Sequence, residues 1–426
     1  MSEQKAGGEP AVGTPESGSS KVDQTPDGGA GRLREIFRSD HPAILTILAI
    51  FAAVVIGSIL IIASDQATRT AAGYFTAAPM DTISAAWHAV SGAYVAIFEG
   101  SILNPSSLSS GNATTIFGPI SETIVSATPL IFAGLSVTLA FRAGLFNIGA
   151  QGQILLAAIF AGYVGFSWHL PVVLHVIVAV LAGILGGALW AGLAGVLKAK
   201  TGAHEVITTI MLNYVALGLI QYLLGVHGFQ AKPYNQAISP AVGHNAMYPH
   251  LLGSALRANV AFLVAIAATV AVAWLLNRST FGFRLRTVGA NQDAARTAGI
   301  SISSVYIVVM LIVGALAGLA GSAQVLGTSP QVTSDIDAGV GFDAITVSLL
   351  GRGSPIGTFW AGMLFGALRA GSVQLLASTN TPSDLVQVLQ ALIVLFIAAP
   401  GLVRLIFRLR RSGGGQTAVV AKGWNG

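Results

Sequence analysis

Residues 129–165 read PLIFAGLSVTLAFRAGLFNIGAQGQILLAAIFAGYVG. Two apolar runs flank an octet, FNIGAQGQ (146–153), which sets Asn147, Gln151 and Gln153 among glycines. Arg142 closes the first run, and each run belongs to an apolar stretch of ~20 residues, the length that crosses a bilayer core. Gly144, Gly149 and Gly152 disfavour a continuous helix between the two runs. Backbone that leaves the helix at membrane depth is tolerated only where protein buries it or where it lines a cavity. The three amides therefore have two candidate tasks. They can satisfy freed backbone groups, or they can touch a solute in transit. The sequence leaves both open.

The remainder of the chain points to the bilayer as its solvent. Of 426 residues, 53% are hydrophobic and 9% are charged, against ~25% charged in soluble domains. So little charge could not cover the surface of a water-soluble fold. The 51 glycines suit helices packed closely in lipid. Cysteine is absent, which excludes a disulfide framework and a thiolate metal site. The net charge of +5 comes with no basic cluster on a soluble unit, so nucleic acid is not an expected partner.

Ten apolar segments have membrane dimensions, near 43–63, 121–141, 150–167, 172–195, 205–225, 258–276, 303–325, 340–351, 355–377 and 384–406. The eighth is short, and GRGSPIG (351–357) breaks the helix after it, so a partial span is expected there. The expected fold class is an all-α, polytopic membrane protein with about ten transmembrane helices, some broken or partial. With the N-terminus in the cytoplasm and alternating spans, 18 of the 22 lysines and arginines fall on the cytoplasmic side. Arg69, Lys232, Arg257 and Arg369 are the other four. That asymmetry fits the positive-inside rule. It places a multi-pass protein in the plasma membrane with both termini cytoplasmic.

The domain plan follows. Residues 1–40 read as a disordered cytoplasmic tail rather than a signal peptide, 41–410 as the transmembrane domain and 411–426 as a second cytoplasmic tail. Residues 64–120 form an extracytoplasmic segment. Within it ISAAWHAVSGAYVAIFEGSI (83–102) has apolar residues at near-helical spacing. That helix either lies flat at the interface, with Trp87 and Tyr94 as anchors, or packs on the outer surface. A second external segment, 226–257, reads as loop.

Small residues four apart mark close helix contacts: Gly183, Gly187, Ala191 and Gly195, then Gly314 and Gly318, then Gly362 and Gly366. In HEVITTIMLNYVALGLIQYL (204–223), Glu205, Thr209 and Asn213 share one helix side, and Gln221 extends the stripe. A polar stripe in lipid faces either a water-filled path or another helix. The loop NRSTFGFRLRTVGANQDAARTAGISISSVY (277–306) carries four arginines and a short helical pattern. Asp293 caps or opens that helix and Gly299 ends it. A compact cytoplasmic helix of this kind is a docking element for a soluble partner; a solvated loop is the alternative. Arg142 followed by Ile148–Gly149 has an echo in Arg352 followed by Ile356–Gly357, which hints at a parallel internal repeat.

Three motifs in order, GLFNIGAQGQ (144–153), HEVITTIMLNYVALGLIQYL (204–223) and GFRLRTVGANQDAARTAGI (282–300), resemble permease subunits of bacterial ABC importers. The resemblance is to the group of nucleoside and simple-sugar permeases, related to the ribose and branched-chain amino acid permeases, and it covers about 120–405. It implies a transmembrane subunit that works with cytoplasmic ABC ATPases, an extracytoplasmic solute-binding protein and a second permease subunit. It implies transport by alternating access, with no cofactor and no metal. It also implies that the 277–302 loop holds a coupling helix over 292–300. Asn291, Asp293, Ala294, Ala295, Arg296, Ala298 and Gly299 would be its coupling residues, and Ala294, Ala295 and Ala298 would face the ATPase groove. GLFNIGAQGQ and EVITTIMLN are most similar to the nucleoside branch, which makes a nucleoside the expected solute and a simple sugar the alternative. The expected solute path is Asn147, Gln151, Gln153, Thr209, Asn213 and Gln221. Relatives usually carry Glu where this chain has Gln151.

One part of this is testable in the sequence itself. A phosphate-binding loop needs GxxxxGK[ST], and none of the six lysines sits in that frame. The chain is therefore expected to be no enzyme, and its energy comes from another polypeptide or from an ion gradient. The second option, a secondary transporter, usually needs an acid buried mid-span. Glu122, Glu205, Asp343 and Asp384 sit near span ends. A membrane-embedded enzyme is the third reading, and the chain has neither HExxH nor GxSxG.

Overall fold

Small residues decide which helices touch. The computed structural model describes residues 42–109, 111–379 and 384–407, so both expected tails, 1–40 and 411–426, lie outside the described residues. Among those residues there are sixteen α-helices. They are α1 Pro42–Ser64, α2 Gln66–Ala72, α3 Pro79–Ser101, α4 Pro105–Leu108, α5 Ala113–Arg142, α6 Ala150–Ser167, α7 Val172–Thr201, α8 Glu205–Leu223, α9 Ala261–Arg278, α10 Thr280–Ala290, α11 Gln292–Thr297, α12 Ile302–Ala323, α13 Val340–Leu350, α14 Pro355–Thr379, α15 Asp384–Ala398 and α16 Pro400–Ile406. A π-helical turn, Gln324–Thr328, extends α12. Extended pairing among the described residues is limited to isolated bridges, so the chain is an all-α polytopic membrane protein.

Two seams hold the centre. On α7, Gly183 and Gly187 lie against Gly318 and Gly314 of α12, and a Cβ added at Gly318 would come within 2.7 Å of the Gly183 carbonyl oxygen. On α14, Gly362 and Gly366 sit on Ile131 and Ala127 of α5, where an added Cβ would come within 2.6 Å. Without a hydrophobic driving force between helices in lipid, such backbone proximity supplies the packing attraction. The three rows of small residues read from the sequence thus meet in these seams, two of them with each other.

Each of the ten expected spans is helical. Among the described residues seven helices are long and apolar enough to cross a membrane, and α15 with α16 makes an eighth if the pair is one span. That pair corrects one expectation, a continuous helix over 384–406. The chain bends by 93° between the two. Ala399 precedes Pro400 and is held at φ −116°, ψ 68°, because a residue before proline is pushed out of the helical region. α13 has 11 residues, about 16 Å at the helical rise, and so is the expected partial span. α14 is long enough at 25 residues, but Arg369, Gln374 and four glycines dilute its apolar character.

The 83–102 stretch is helical, as part of α3, and it packs against α14 and α1. α3 runs antiparallel along the second half of α14: Gly92 is near Thr379, and Gly100 is against Gly371 and Gln374. Tyr94 donates its hydroxyl to the Val54 carbonyl of α1 at 2.9 Å, while Trp87 is 70% exposed.

The bundle has two distinct ends. At one, Arg142 Nε donates to the Gly353 carbonyl at 2.7 Å, Gly144 packs on Gly289, and Ser303 Oγ reaches the Ala199 carbonyl at 3.3 Å. At the other, the 224–260 segment folds over the helix ends. Gly243 N donates to the Gly165 carbonyl at 2.9 Å, and Tyr248 N to the Leu326 carbonyl at 3.0 Å. Ala258 N donates to Ser121 Oγ at 2.8 Å. Burial in this cap pushes the Tyr248 phenol up from its ordinary range.

Candidate functional site

The octet between α5 and α6 leaves the helix as its glycines dictate. α5 ends at Arg142, Gly144 adopts φ +73° in the turn, and α6 resumes only at Ala150. Helix ends leave N–H and C=O groups without intrahelical partners, and in a buried site each must find another. The amides supply them. Asn147 Oδ1 accepts from Gly149 N at 2.9 Å. Asn147 and Gln153 also exchange a reciprocal amide pair, at 3.3 and 3.1 Å. Both side chains are 1% exposed.

α8 contributes the remainder. Asn213 Oδ1 accepts from Gly152 N at 2.9 Å, and its Nδ2 donates to the Ile148 carbonyl at 2.9 Å. Thr209 Oγ1 accepts from Ile148 N at 3.4 Å. The stripe read as pore lining or interhelical bonding therefore includes a clamp on the broken backbone of the neighbouring turn. Glu205, at the start of the stripe, pairs instead with Lys198 of α7 at 2.9 Å. Gln221 is exposed, two turns beyond Asn213 at about 12 Å by the helical rise, and is not brought to the clamp.

Gln151 faces another partner. It is half-buried, and its side chain amide lies beside the carboxylate of Asp337, a favourable polar contact. Gly341, at the start of α13, packs so tightly on the Gln151 backbone that an added Cβ would come within 2.5 Å. A second helix break therefore meets the first. It runs from the π turn through residues 329–339 to α13. Asp337 is 2% exposed, and its Oδ2 has no hydrogen-bond partner. Gln324 Nε2 donates to the Asp337 carbonyl at 3.5 Å. Arg369 of α14 donates to the Ala338 carbonyl and pairs with Asp343 at 3.2 Å.

Sequence reading missed this second element. Arg369 stood only as an arginine outside the cytoplasmic set, and Asp343 only as an acid near a span end. The available signal was the stretch DIDAGVGFD (335–343), three acids and two glycines inside an apolar region. Its partners, Gln151 and Arg369, are too far away in sequence for spacing to reveal. Among the described residues no group of three His, Cys, Asp or Glu converges to hold a metal ion.

The loop at the other candidate site has the expected helix from Gln292, and it ends at Thr297 rather than at 300. Asn291 is the N-cap, its Oδ1 accepting from Asp293 N at 2.9 Å and Ala294 N at 3.1 Å. Asp293 lies in the first turn and pairs with Arg296 at 3.3 Å. Gly299, at φ +76°, follows the helix, a conformation glycine adopts without a Cβ clash. Ala294 and Ala298 are exposed. Ala295 corrects the expectation that all three alanines face outward: it is 0% exposed and belongs to the main core cluster. One side of this two-turn helix must rest on the bundle, and the i and i+4 alanines leave Ala295 on that side.

Comparison with known proteins adds a family. The model described as branched-chain amino acid transport system, permease component, matches residues 120–398, which contain all three motifs. The chain is 37% identical over 303 residues to the guanosine ABC transporter permease NupP of Bacillus subtilis, covering 70% of this chain and 87% of NupP. It is 39% identical over 293 residues to the glucose ABC transporter permease TsgB13 of Haloferax volcanii, covering 67% and 77%. It is 34% identical over 294 residues to the nucleoside ABC transporter permease NupB of Lactococcus lactis, covering 66% and 79%. No solved structure matches. Its helices, its motifs and these relatives agree, and the chain belongs to the family of branched-chain amino acid transport system permease components, as a multi-pass ABC transporter permease of the nucleoside and simple-sugar group.

Proposed function

We propose that this permease moves a nucleoside across the plasma membrane by alternating access, driven by separate ABC ATPases and fed by an extracytoplasmic binding protein. Both termini and α11 lie on the cytoplasmic side, and a second permease subunit completes the path. The observation that carries the substrate is the similarity to NupP and NupB, which are named for guanosine and for nucleosides. The similarity to TsgB13 favours glucose as the second reading.

The solute passes where the two helix breaks meet. Asn147, Gln153, Thr209 and Asn213 hold the first break in shape; Gln151 presents an amide at the junction, and Gln221 belongs to a more distant part of the same route. An amide carries both a donor and an acceptor without net charge, which suits a neutral, hydrogen-bonding solute. Helix α11 transmits ATPase closure through the shape of its exposed side, where Asn291, Asp293, Ala294, Arg296 and Ala298 stand. Ala295 and Gly299 fix that side against the bundle. The experiment is uptake of labelled guanosine, uridine and glucose by cells with and without the chain. Guanosine or uridine uptake that needs ATP, and that unlabelled glucose does not compete, is expected. Uptake of glucose alone overturns the nucleoside reading, and uptake that persists without ATP while the ion gradient is kept overturns the ABC mechanism.

A further inference from the structure

One cleft among the described residues lies away from the amide clamp. It opens at the end of the bundle covered by the 224–260 segment, with a volume of about 730 Å³. α3, α5 and α14 form its walls. Its polar lining includes Glu99, Asn104, Glu122, Arg257, Arg369 and Gln374. Two carboxylates face two guanidiniums, and Arg257 pairs with Glu122 at 2.9 Å. The charged lining is thus balanced, which favours neither a cation nor an anion and offers donors and acceptors to a neutral, hydroxyl-rich molecule. The volume falls within the ~300–1,000 Å³ of small-molecule sites.

A smaller chamber of about 190 Å³ continues from it, lined by Gln324, Thr328, Thr333 and Asp335. Ser126 and Arg369 line both. The smaller chamber is below the size of a ligand site, so a solute that enters it must widen it. Ile336 and Ala338, which also line it, flank Asp337, the residue beside Gln151. Arg369 stands at the boundary, tied to the Ala338 carbonyl and to Asp343. An arginine inside a span is costly unless paired, and such residues mark solute pathways.

We propose that the larger cleft is the outer vestibule of the solute path, taking a neutral polyhydroxylated solute such as a nucleoside, and that Arg369 with Asp343 is its inner gate. The assignment rests on the nucleoside reading above. In this arrangement α3 is a vestibule wall. Breaking the Arg369–Asp343 pair frees residues 338–343 to move away from α14, and the smaller chamber then joins the vestibule to the Gln151 junction.

The chain has no cysteine, so one introduced thiol is unique. Ser126→Cys reports the vestibule, Thr333→Cys the smaller chamber, and Ser254→Cys, on the exposed cap, is the control. Membranes holding the complete complex are treated from the extracytoplasmic side with a membrane-impermeant methanethiosulfonate, and the intact mass of this chain gives the labelling rate. Guanosine held at ten times its Kd should slow labelling of Ser126→Cys by about tenfold and leave Ser254→Cys unchanged. Adding Asp343→Asn should speed labelling of Thr333→Cys several-fold. A Ser126→Cys rate indifferent to guanosine, in a complex that still takes guanosine up, overturns the vestibule and leaves the substrate reading standing. An unchanged Thr333→Cys rate with Asp343→Asn overturns the gate. A wild-type complex that takes up no nucleoside overturns the substrate reading, and the nucleoside as occupant with it.

Discussion

Two helix breaks meet at Gln151, and they are held by different physics. The α5–α6 break is clamped by neutral groups: Asn147, Asn213 and Thr209 meet its freed N–H and C=O groups, and Gln153 pairs with the Asn147 amide. The break between the π turn and α13 is held by charge. Arg369 spans to Asp343 and the Ala338 carbonyl, and one carboxylate oxygen of Asp337 is buried without a partner. A fully satisfied polar network rigidifies its surroundings, whereas an unpartnered buried group is a local cost. Moving the first break would orphan several groups at once. Moving residues 337–343 of the second gives up the Arg369–Asp343 pair, whose side chains are 27% and 29% exposed, and single bonds to the Ala338 and Asp337 carbonyls. The first is therefore built as a fixed point and the second as a moving part.

The largest effect should come from breaking the clamp. Asn213→Leu strands the Gly152 N–H and the Ile148 carbonyl, at ~1–3 kcal/mol for each buried group. Its thermal unfolding midpoint in detergent should fall steeply and the yield of assembled complex with it. Gln151→Ala, by contrast, removes no partner from the clamp and should keep the midpoint near wild type while lowering uptake. Equal loss of stability in both variants would erase the distinction between the two sides of the octet.

Next comes the charged break. Arg369→Met leaves Asp343 without its partner and should abolish most uptake with assembly retained. Arg369→Lys should recover part of it, since a lysine supplies the charge without the guanidinium fork. Full uptake by Arg369→Met would remove charge from the account of this break.

The smallest effects sit on α11, where exposure separates neighbours. Ala295→Trp overfills the chain's own core, at ~1–3 kcal/mol, and should lower the unfolding midpoint. Ala298→Trp should leave the midpoint unchanged and uncouple ATP hydrolysis from uptake. Solute-stimulated ATPase activity and the midpoint, measured together, separate the two. A stability loss with Ala298→Trp, or none with Ala295→Trp, would contradict the burial assigned here.

Much of the fold was legible because lipid imposes a simple rule. Apolar runs of the right length became helices, and the small residues of α7, α12 and α14 became the seams. Local rules also served at α11, where Asp293 stands in the first turn and Gly299 follows the end as read, while the N-cap itself is Asn291. What spacing could not show was direction: a six-residue helix has too few turns to say that Ala295 rather than Ala294 turns inward. The break at Ala399–Pro400 was a local signal that the apolar run concealed. The Asp337, Asp343 and Arg369 cluster was illegible for a different reason. Its members meet their partners only across the fold, Asp337 beside Gln151 and Asp343 on Arg369.

The central claim is that one break stays fixed while the other moves, and hydrogen exchange reads both in one experiment. The complete complex would be compared in its resting state and trapped with ATP and vanadate, and amide exchange followed by mass spectrometry in peptides covering 143–153 and 329–343. The account expects unchanged protection over 143–153 and a large change over 329–343. A large change over 143–153, with 329–343 unaltered, would contradict it.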